Sequence, residues 1–338
     1  MIYSASNIWA GYKFNDSFKY LKQQLLFVIV GIILILVIVK LDYKIFYDKA
    51  NLLLGICLLL LLLVIIPGIG VVRNGSRSWF GIGSLGIQPS EFTKLGLIIF
   101  SSKYLSKLDK AKVSFKDVLP LLFIVMLAFL LIMLEPDFGT GVILVLSIVA
   151  LLFVAGVDMK FFLYLGVIGL IGAIGLIIIA PYRMERITSF INPWKDPLGT
   201  GFQIIQSLYA IGPGGLLGFG FLNSRQKHFY LPEPQTDFIF SIICEEFGVV
   251  GAIIVIILFF ILCYMMLKLA ILENNRFKKY VIFGICFQMM FQTIMNLSVV
   301  VGLIPVTGVT LPFLSYGGSS LLITMISIGI ILCITKRE

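Results

Sequence analysis

One carboxylate stands where the chain turns abruptly apolar. Asp237 ends the stretch Leu231-Pro232-Glu233-Pro234-Gln235-Thr236-Asp237 and is followed at once by a long hydrophobic run. An acid at a helix start accepts free backbone amides and is favoured by the helix dipole, which gives it a capping role. At the mouth of a helix bundle the same carboxylate could take a proton from a hydroxyl as general base. On the residues alone both roles stay open. Arg77 lies in Asn74-Gly75-Ser76-Arg77-Ser78-Trp79-Phe80-Gly81, where Asn-Gly signals a tight turn and Trp79 an interfacial anchor. Its planar guanidinium suits two oxygens of one phosphate.

Further charges fall inside apolar blocks, where each costs roughly 2.5–3.5 kcal/mol to insert. Glu91 and Lys94 are spaced i, i+3, so they share one helical face and can pair. Glu245 and Glu246 fall eight and nine residues into another block, roughly 12 Å below its start at helical rise. A structural ion pair explains such groups as readily as a polar cavity does. Either way they must face protein, not lipid. Asp137 occupies the short turn Glu135-Pro136-Asp137-Phe138-Gly139 between two blocks. The run Gly212-Pro213-Gly214-Gly215-Leu216-Leu217-Gly218-Phe219-Gly220 lets backbone amides approach an anion, and Arg225 and Lys227 follow it. Glycines near a membrane serve helix packing equally well.

The elements that position these groups follow from composition. Of 338 residues 59% are hydrophobic and 13% charged, with a mean hydropathy of +1.07. Such a chain cannot cover itself with polar surface in water. Its apolar residues come in blocks of about 20, the length that crosses a bilayer as a helix. Nine spans are predicted, at 23–39, 51–69, 89–105, 118–134, 139–156, 161–180, 238–267, 280–301 and 315–334. The chain reads as one all-α polytopic membrane domain over 1–338, with 181–237 as a large loop between spans.

The net charge of +9 is a topology signal rather than a nucleic-acid footprint. Lys40, Lys44 and Lys49 follow the first span. Lys103, Lys107, Lys110, Lys112 and Lys116 follow the third, and Lys268, Arg276, Lys278 and Lys279 follow the seventh. Lys336 and Arg337 end the chain. With alternating spans all of these share one side, which the positive-inside rule makes cytoplasmic. The loop 181–237 then lies outside and the C-terminus inside. Lys13, Lys19 and Lys22 would fall outside, against the rule, and a missing first helix would explain them. The five cysteines lie in apolar blocks, and one histidine, His228, excludes a multi-histidine metal cluster.

Several stretches taken together resemble the SEDS family (shape, elongation, division and sporulation), the RodA/FtsW/SpoVE group of cell-wall polymerases. They are Tyr3–Ser6, the runs 74–94 and 135–141, QSLYAIGPGGLLGFG at 206–220, FYLPEPQTDFIFSIICEEFG at 229–248, and 302–320. The resemblance covers essentially the whole chain in order. It implies ten helices, with Tyr3–Ser6 closing the first, so that most of helix one is expected to be missing here.

The resemblance also implies an inverting glycosyltransferase of the cytoplasmic membrane. It would polymerise lipid II, an undecaprenyl-diphosphate disaccharide-pentapeptide, beside a class B penicillin-binding protein. Asp237 would be its essential carboxylate, and Arg77, Glu91, Lys94 and Asp137 would line or support a polar cavity. The forms at 206–220 and 229–248 lean toward the division and sporulation branch, with elongation as the alternative. No all-protein metal cage is evident, so Mg²⁺ or Mn²⁺, where used, would be shared with phosphate oxygens. A lipid II flippase is the main rival, and a non-catalytic scaffold is a third reading. A transporter should show internal repeats and broken helices at mid-membrane, whereas the polar features here gather toward one face.

Overall fold

The computed structural model describes the chain apart from residues 74, 83–84, 109–112, 180 and 337–338, so Lys110, Lys112 and Arg337 lie outside the described residues. It is helical, and each of the nine apolar blocks falls on a helix. In chain order these are α1 (Ile2–Phe14), α2 (Lys19–Ile38), α3 (Lys44–Ile65), α4 (Pro89–Ser106), α5 (Phe115–Leu134) and α6 (Phe138–Val154). There follow α7 (Met159–Ile179), α8 (Pro181–Ile191), α9 (Phe202–Ile211), α10 (Ile239–Leu272), α11 (Arg276–Val300) and α12 (Gly318–Thr335). Among the described residues, six helices are long and apolar enough to cross a membrane: α2, α3, α5, α10, α11 and α12. Helix α6 and the described part of α7 are apolar but shorter. Helix α4 carries Glu91, Lys94 and Lys103, which lower its hydropathy.

Two features depart from the sequence reading. The turn around Gly75 is a three-stranded antiparallel ribbon of β1 (Val71–Arg73), β2 (Ser76–Ile82) and β3 (Leu85–Ile87). The loop 181–237 contains α8, α9 and two 3-10 turns at Pro193–Lys195 and Gly212–Gly214. Both helices are too short and too polar on one side to span, so hydropathy alone hid them. Helix α1 continues past Tyr3–Ser6 as far as Phe14.

The chain divides into two compact units. Unit 1 comprises Met1–Leu26, Leu163–Ile261 and Gln292–Gly317; unit 2 comprises Phe27–Phe162, Leu262–Phe291 and Gly318–Glu338. In unit 2, α4 packs against α3, α5, α6 and α12, and its Glu91 and Lys94 are buried in protein rather than set against lipid. In unit 1, Phe238, Ile239, Ile242 and Ile243 of the α10 head pack with Ala5, Leu231, Val299, Val300 and Leu311.

Helix α10 is two helical segments meeting at Gly248, whose φ of 62° and ψ of −158° lie outside the helical region. A break of this kind leaves backbone groups without partners, which a membrane protein tolerates only where protein satisfies them. The glycine-rich run does so. Phe219 and Gly220 amides donate to the Glu245 and Glu246 carbonyls at 2.9 Å, while Val249 and Val250 amides donate to Gly215 and Leu216 at 2.9 and 3.1 Å. A Cβ on Gly248 would stand 2.5 Å from the Leu216 carbonyl carbon, and one on Gly218 would stand 2.3 Å from that of Glu246. These glycines are needed because two backbones touch.

Candidate functional site

Asp237 sits two residues ahead of α10 and is part-buried. Its main-chain carbonyl accepts from Asn296 Nδ2 at 2.7 Å, and the same amide donates to the Val309 carbonyl at 2.7 Å. Asn296, buried on α11, thereby ties the head of α10 to the 302–314 connection. The Thr236 hydroxyl lies 2.7 Å from both Asp237 Oδ1 and the Glu233 carbonyl. One hydroxyl proton serves one acceptor at a time: an ionised Asp237 accepts it, while a protonated Asp237 donates back. The residue is part-exposed, yet the protein crowded around its carboxyl raises the pKa above the ordinary aspartate value. The Thr236 hydroxyl and, more weakly, the Arg186 guanidinium pull it back. A group poised in this way can both take up and release a proton.

Arg186, on α8, is the cation that acts on Asp237 within unit 1. Its Nη1 donates to the Val306 carbonyl at 3.1 Å, which holds it toward the same connection that Asn296 ties down. The sequence reading placed it only within the loop 181–237 and did not single it out. The signal that could have singled it out is an amphipathic helix placing one cation beside the segment before α10.

The two acids of α10 resolve differently from the cavity expectation. Glu245 accepts from Ser224 Oγ at 2.5 Å and from the Arg225 and Gln226 amides at 2.8 and 3.3 Å. Glu246 accepts from Ser4, from the Ser224 amide at 3.3 Å, and from Lys227 Nζ at 3.5 Å. Lys227 also donates to the Leu222 carbonyl at 2.5 Å and is 3% exposed. Both carboxylates lie in the short segment ahead of Gly248, not within the remaining Val249–Leu272 segment, which alone is about 36 Å long. They latch the 222–227 turn and α1 onto α10. Lys227 belongs to this latch, its ammonium being engaged by protein, so it is reassigned from ligand binding to structure. Arg225 is exposed, with its guanidinium 4.7 Å from the Phe219 ring centroid, and stays available to an anion.

Unit 2 gathers the other candidates. Lys94 Nζ pairs with Glu91 Oε1 at 3.0 Å, both side chains buried. Asp137 caps α6 by accepting from the Thr140 amide at 3.1 Å, and it accepts from Gln88 Nε2 at 2.9 Å. Burial raises the Asp137 pKa, opposed by Thr140; Glu91 adds to the rise and Lys94 counters it, so the three charges form one electrostatic cluster. Arg77 is part-buried on β2, and its Nε is a buried donor with no hydrogen-bond partner. Glu135 was not singled out by the sequence. It is fully buried, both carboxylate oxygens lack a hydrogen bond, and burial, reinforced by Asp137, lifts its pKa to about 9. Its main-chain carbonyl is held by Ser76 and by Ser78, the latter at 3.0 Å.

Among the described residues no three His, Cys, Asp or Glu side chains gather to hold a metal ion.

Residues 1–338 match the family described as Cell cycle protein (FTSW_RODA_SPOVE). The chain is 52% identical over 337 residues to Stage V sporulation protein E of Bacillus subtilis (strain 168), covering 99% of this chain and 92% of that one. It is 40% identical over 336 residues to the Probable peptidoglycan glycosyltransferase FtsW of Trichlorobacter lovleyi, covering 99% and 88%. Among solved structures, it superposes with a TM-score of 0.79 on a chain from work on the structural coordination of polymerization and crosslinking by a peptidoglycan synthase complex. That match has 32% identity and covers 99% of this chain and 94% of the other. The Rod shape determining protein RodA of Thermus thermophilus matches with a TM-score of 0.71 at 28% identity, covering 99% and 93%.

Proposed function

The chain belongs to the FtsW/RodA/SpoVE family of cell cycle proteins, and from that premise we propose that it polymerises lipid II with Asp237 as general base. It is a multi-pass membrane protein and a peptidoglycan glycosyltransferase of the division and sporulation branch. The reaction we assign joins two lipid-linked sugars. A sugar 4-hydroxyl loses its proton to Asp237 as its oxygen bonds to the anomeric carbon of the second molecule. The bond from that carbon to the lipid diphosphate breaks with inversion, and the electron pair leaves on the diphosphate. Asp237 then returns its proton to water.

The observation that carries this reading is the setting of Asp237. A carboxyl held by its backbone through Asn296, with a raised pKa and a neighbouring cation in Arg186, is suited to accept a proton near an anionic ligand. Arg186 and Arg225 are the cations of unit 1 assigned to diphosphate oxygens. In unit 2 we assign substrate contact to Arg77, Glu91, Lys94 and Asp137. Any Mg²⁺ or Mn²⁺ that takes part arrives on the diphosphate as part of the substrate. By the distribution of Lys and Arg, Asp237 faces the outer leaflet and the C-terminus faces the cytoplasm. The partner we assign is a class B penicillin-binding protein, supported by the match to a chain of a peptidoglycan synthase complex.

The test is polymer synthesis by the purified protein with lipid II and its transpeptidase partner. Asp237→Asn, with unchanged thermal melting, should make no glycan polymer. Undiminished polymer from that variant overturns the assignment.

A further inference from the structure

A second polar site lies in unit 2, among residues that the polymerase reading does not use. A cavity of 510 Å³ opens where the N-terminal turn of α3, the end of α4 and the start of α11 meet. Its walls include Tyr43, Lys44, Tyr47 and Asp48 on one side and Asn275 and Arg276 on the other. Two more cations stand against its aromatic wall. Lys278 Nζ is 4.1 Å from the Tyr43 ring centroid, and Lys103 Nζ is 5.2 Å from that of Tyr47. Lys103 Nζ also donates to the Asp48 carbonyl at 3.3 Å, and Tyr47 meets Phe277 edge-on at 5.1 Å. The tyrosines are thus fixed, and the ammonium groups are fixed over them.

The acids nearby do not cancel this charge equally. Asp42 accepts the Lys44 amide, and Glu273 accepts the Asn275 amide, each at 2.9 Å. Asn275 Oδ1 accepts the Phe277 and Lys278 amides at 3.0 and 3.2 Å. The helix starts are therefore capped, and recognition falls to side chains. Lys44, Lys103, Arg276 and Lys278 face Asp48 as the acid that lines the cavity itself. Such a set suits a phosphate that also carries hydroxyl groups, the phosphate meeting the cations and a hydroxyl meeting Asp48.

The position selects the source of that phosphate. The cavity lies at the ends of α3 and α11, both long and apolar enough to cross a membrane, which puts it at headgroup depth. Leu41 and Ile45, neighbours in sequence of the lining residues Tyr43 and Lys44, are exposed, as are Ile271 and Leu272 shortly before Asn275. Polar groups bordered by exposed apolar ones fit an amphiphile. We propose that this cavity binds the headgroup of an anionic glycerophospholipid, of the phosphatidylglycerol type, in the lysine-rich leaflet. The general precedent is that basic pockets between membrane helices hold anionic headgroups, each cation near the surface contributing about a fivefold gain in affinity.

Native mass spectrometry of the detergent-purified full chain, titrated with phosphatidylglycerol or phosphatidylcholine, tests this. Lys44 and Arg276 are both exposed, so Lys44→Gln with Arg276→Gln should leave thermal melting unchanged. The pair should weaken phosphatidylglycerol binding about thirtyfold, and the equal charge loss of Lys116→Gln with Lys268→Gln, outside the cavity, less than about threefold. Equal weakening by both pairs would mean diffuse surface attraction and overturn the site. So would equal binding of the two lipids. Displacement of the lipid by an equal concentration of soluble glycerol 1-phosphate would reassign the cavity to a free phosphate and refute the lipid. None of these outcomes depends on polymer synthesis, so the lipid site and the Asp237 reading fail separately.

Discussion

The pairing of Lys227 with Glu246 makes a prediction that separates structure from catalysis. Both side chains are buried at 3.5 Å, at 2% and 0% exposure. Removing one partner of a buried pair strands the other charge and costs about 3–5 kcal/mol, whereas replacing both by neutral groups is often close to neutral. Glu246→Gln keeps an acceptor oxygen for Ser4 and the Ser224 amide and removes only the charge, so it isolates the stranded ammonium. With a shift of about 2 °C per kcal/mol, its melting midpoint should fall by about 6–10 °C. Lys227→Met leaves a carboxylate that still has those two donors, so its loss should fall at the low end of the range. The double variant Lys227→Met/Glu246→Gln should recover to within about 2 kcal/mol of the parent. The assay is thermal melting in detergent, followed by polymer synthesis from lipid II. The double variant should polymerise within about threefold of the parent, under 1 kcal/mol of barrier. A double variant no more stable than Glu246→Gln would refute the latch. One that is stable yet inactive would show that Lys227 serves the substrate, and the structural assignment would be wrong.

Other outcomes follow from the same geometry. If Asp237 acts as a base it must be ionised, so the rate rises with pH through its pKa. Arg186→Gln removes a cation that lowers this pKa and should move the acid limb of the kcat/KM profile to higher pH; an unmoved limb counts against the pair. Gly248→Ala places a Cβ 2.5 Å from the Leu216 backbone at a positive φ and should cost about 2 kcal/mol or more, seen as a lower melting midpoint. Glu135, with its pKa at about 9, stays protonated in the fold at neutral pH while an unfolded chain would ionise it. Its contribution to stability is fully present below the ordinary glutamate pKa and is lost as pH rises through about 9. Glu135→Gln should therefore melt higher than the parent at pH 8, and the two should converge near pH 4; a parent at least as stable at pH 8 refutes the buried neutral acid.

The sequence by itself determined the solvent, the helices that cross it and the carboxylate at the head of α10. Transfer of apolar residues into lipid is nearly additive along the chain, so blocks at 118–134 or 315–334 announce themselves without knowledge of their neighbours. The i, i+3 spacing of Glu91 and Lys94 was equally local, and the pair forms at 3.0 Å. Asp237 was legible because an acid bordering an apolar block stands out whatever it touches.

Only the tertiary structure decided what the remaining polar groups do, because a buried charge or amide is defined by a partner that can lie far away in the chain. Lys227 reads as a loop cation until Glu246 is found beside it, and Arg186 reads as one of several until Asp237 lies within its field. Asn296 has no signature at all, yet one amide joins α10 to the 302–314 connection. The ribbon of Val71–Ile87 and the break at Gly248 stayed hidden for a related reason. The two outer strands have only three residues each, too few for alternation to register, and a broken helix persists only because the distant glycine-rich run satisfies its backbone.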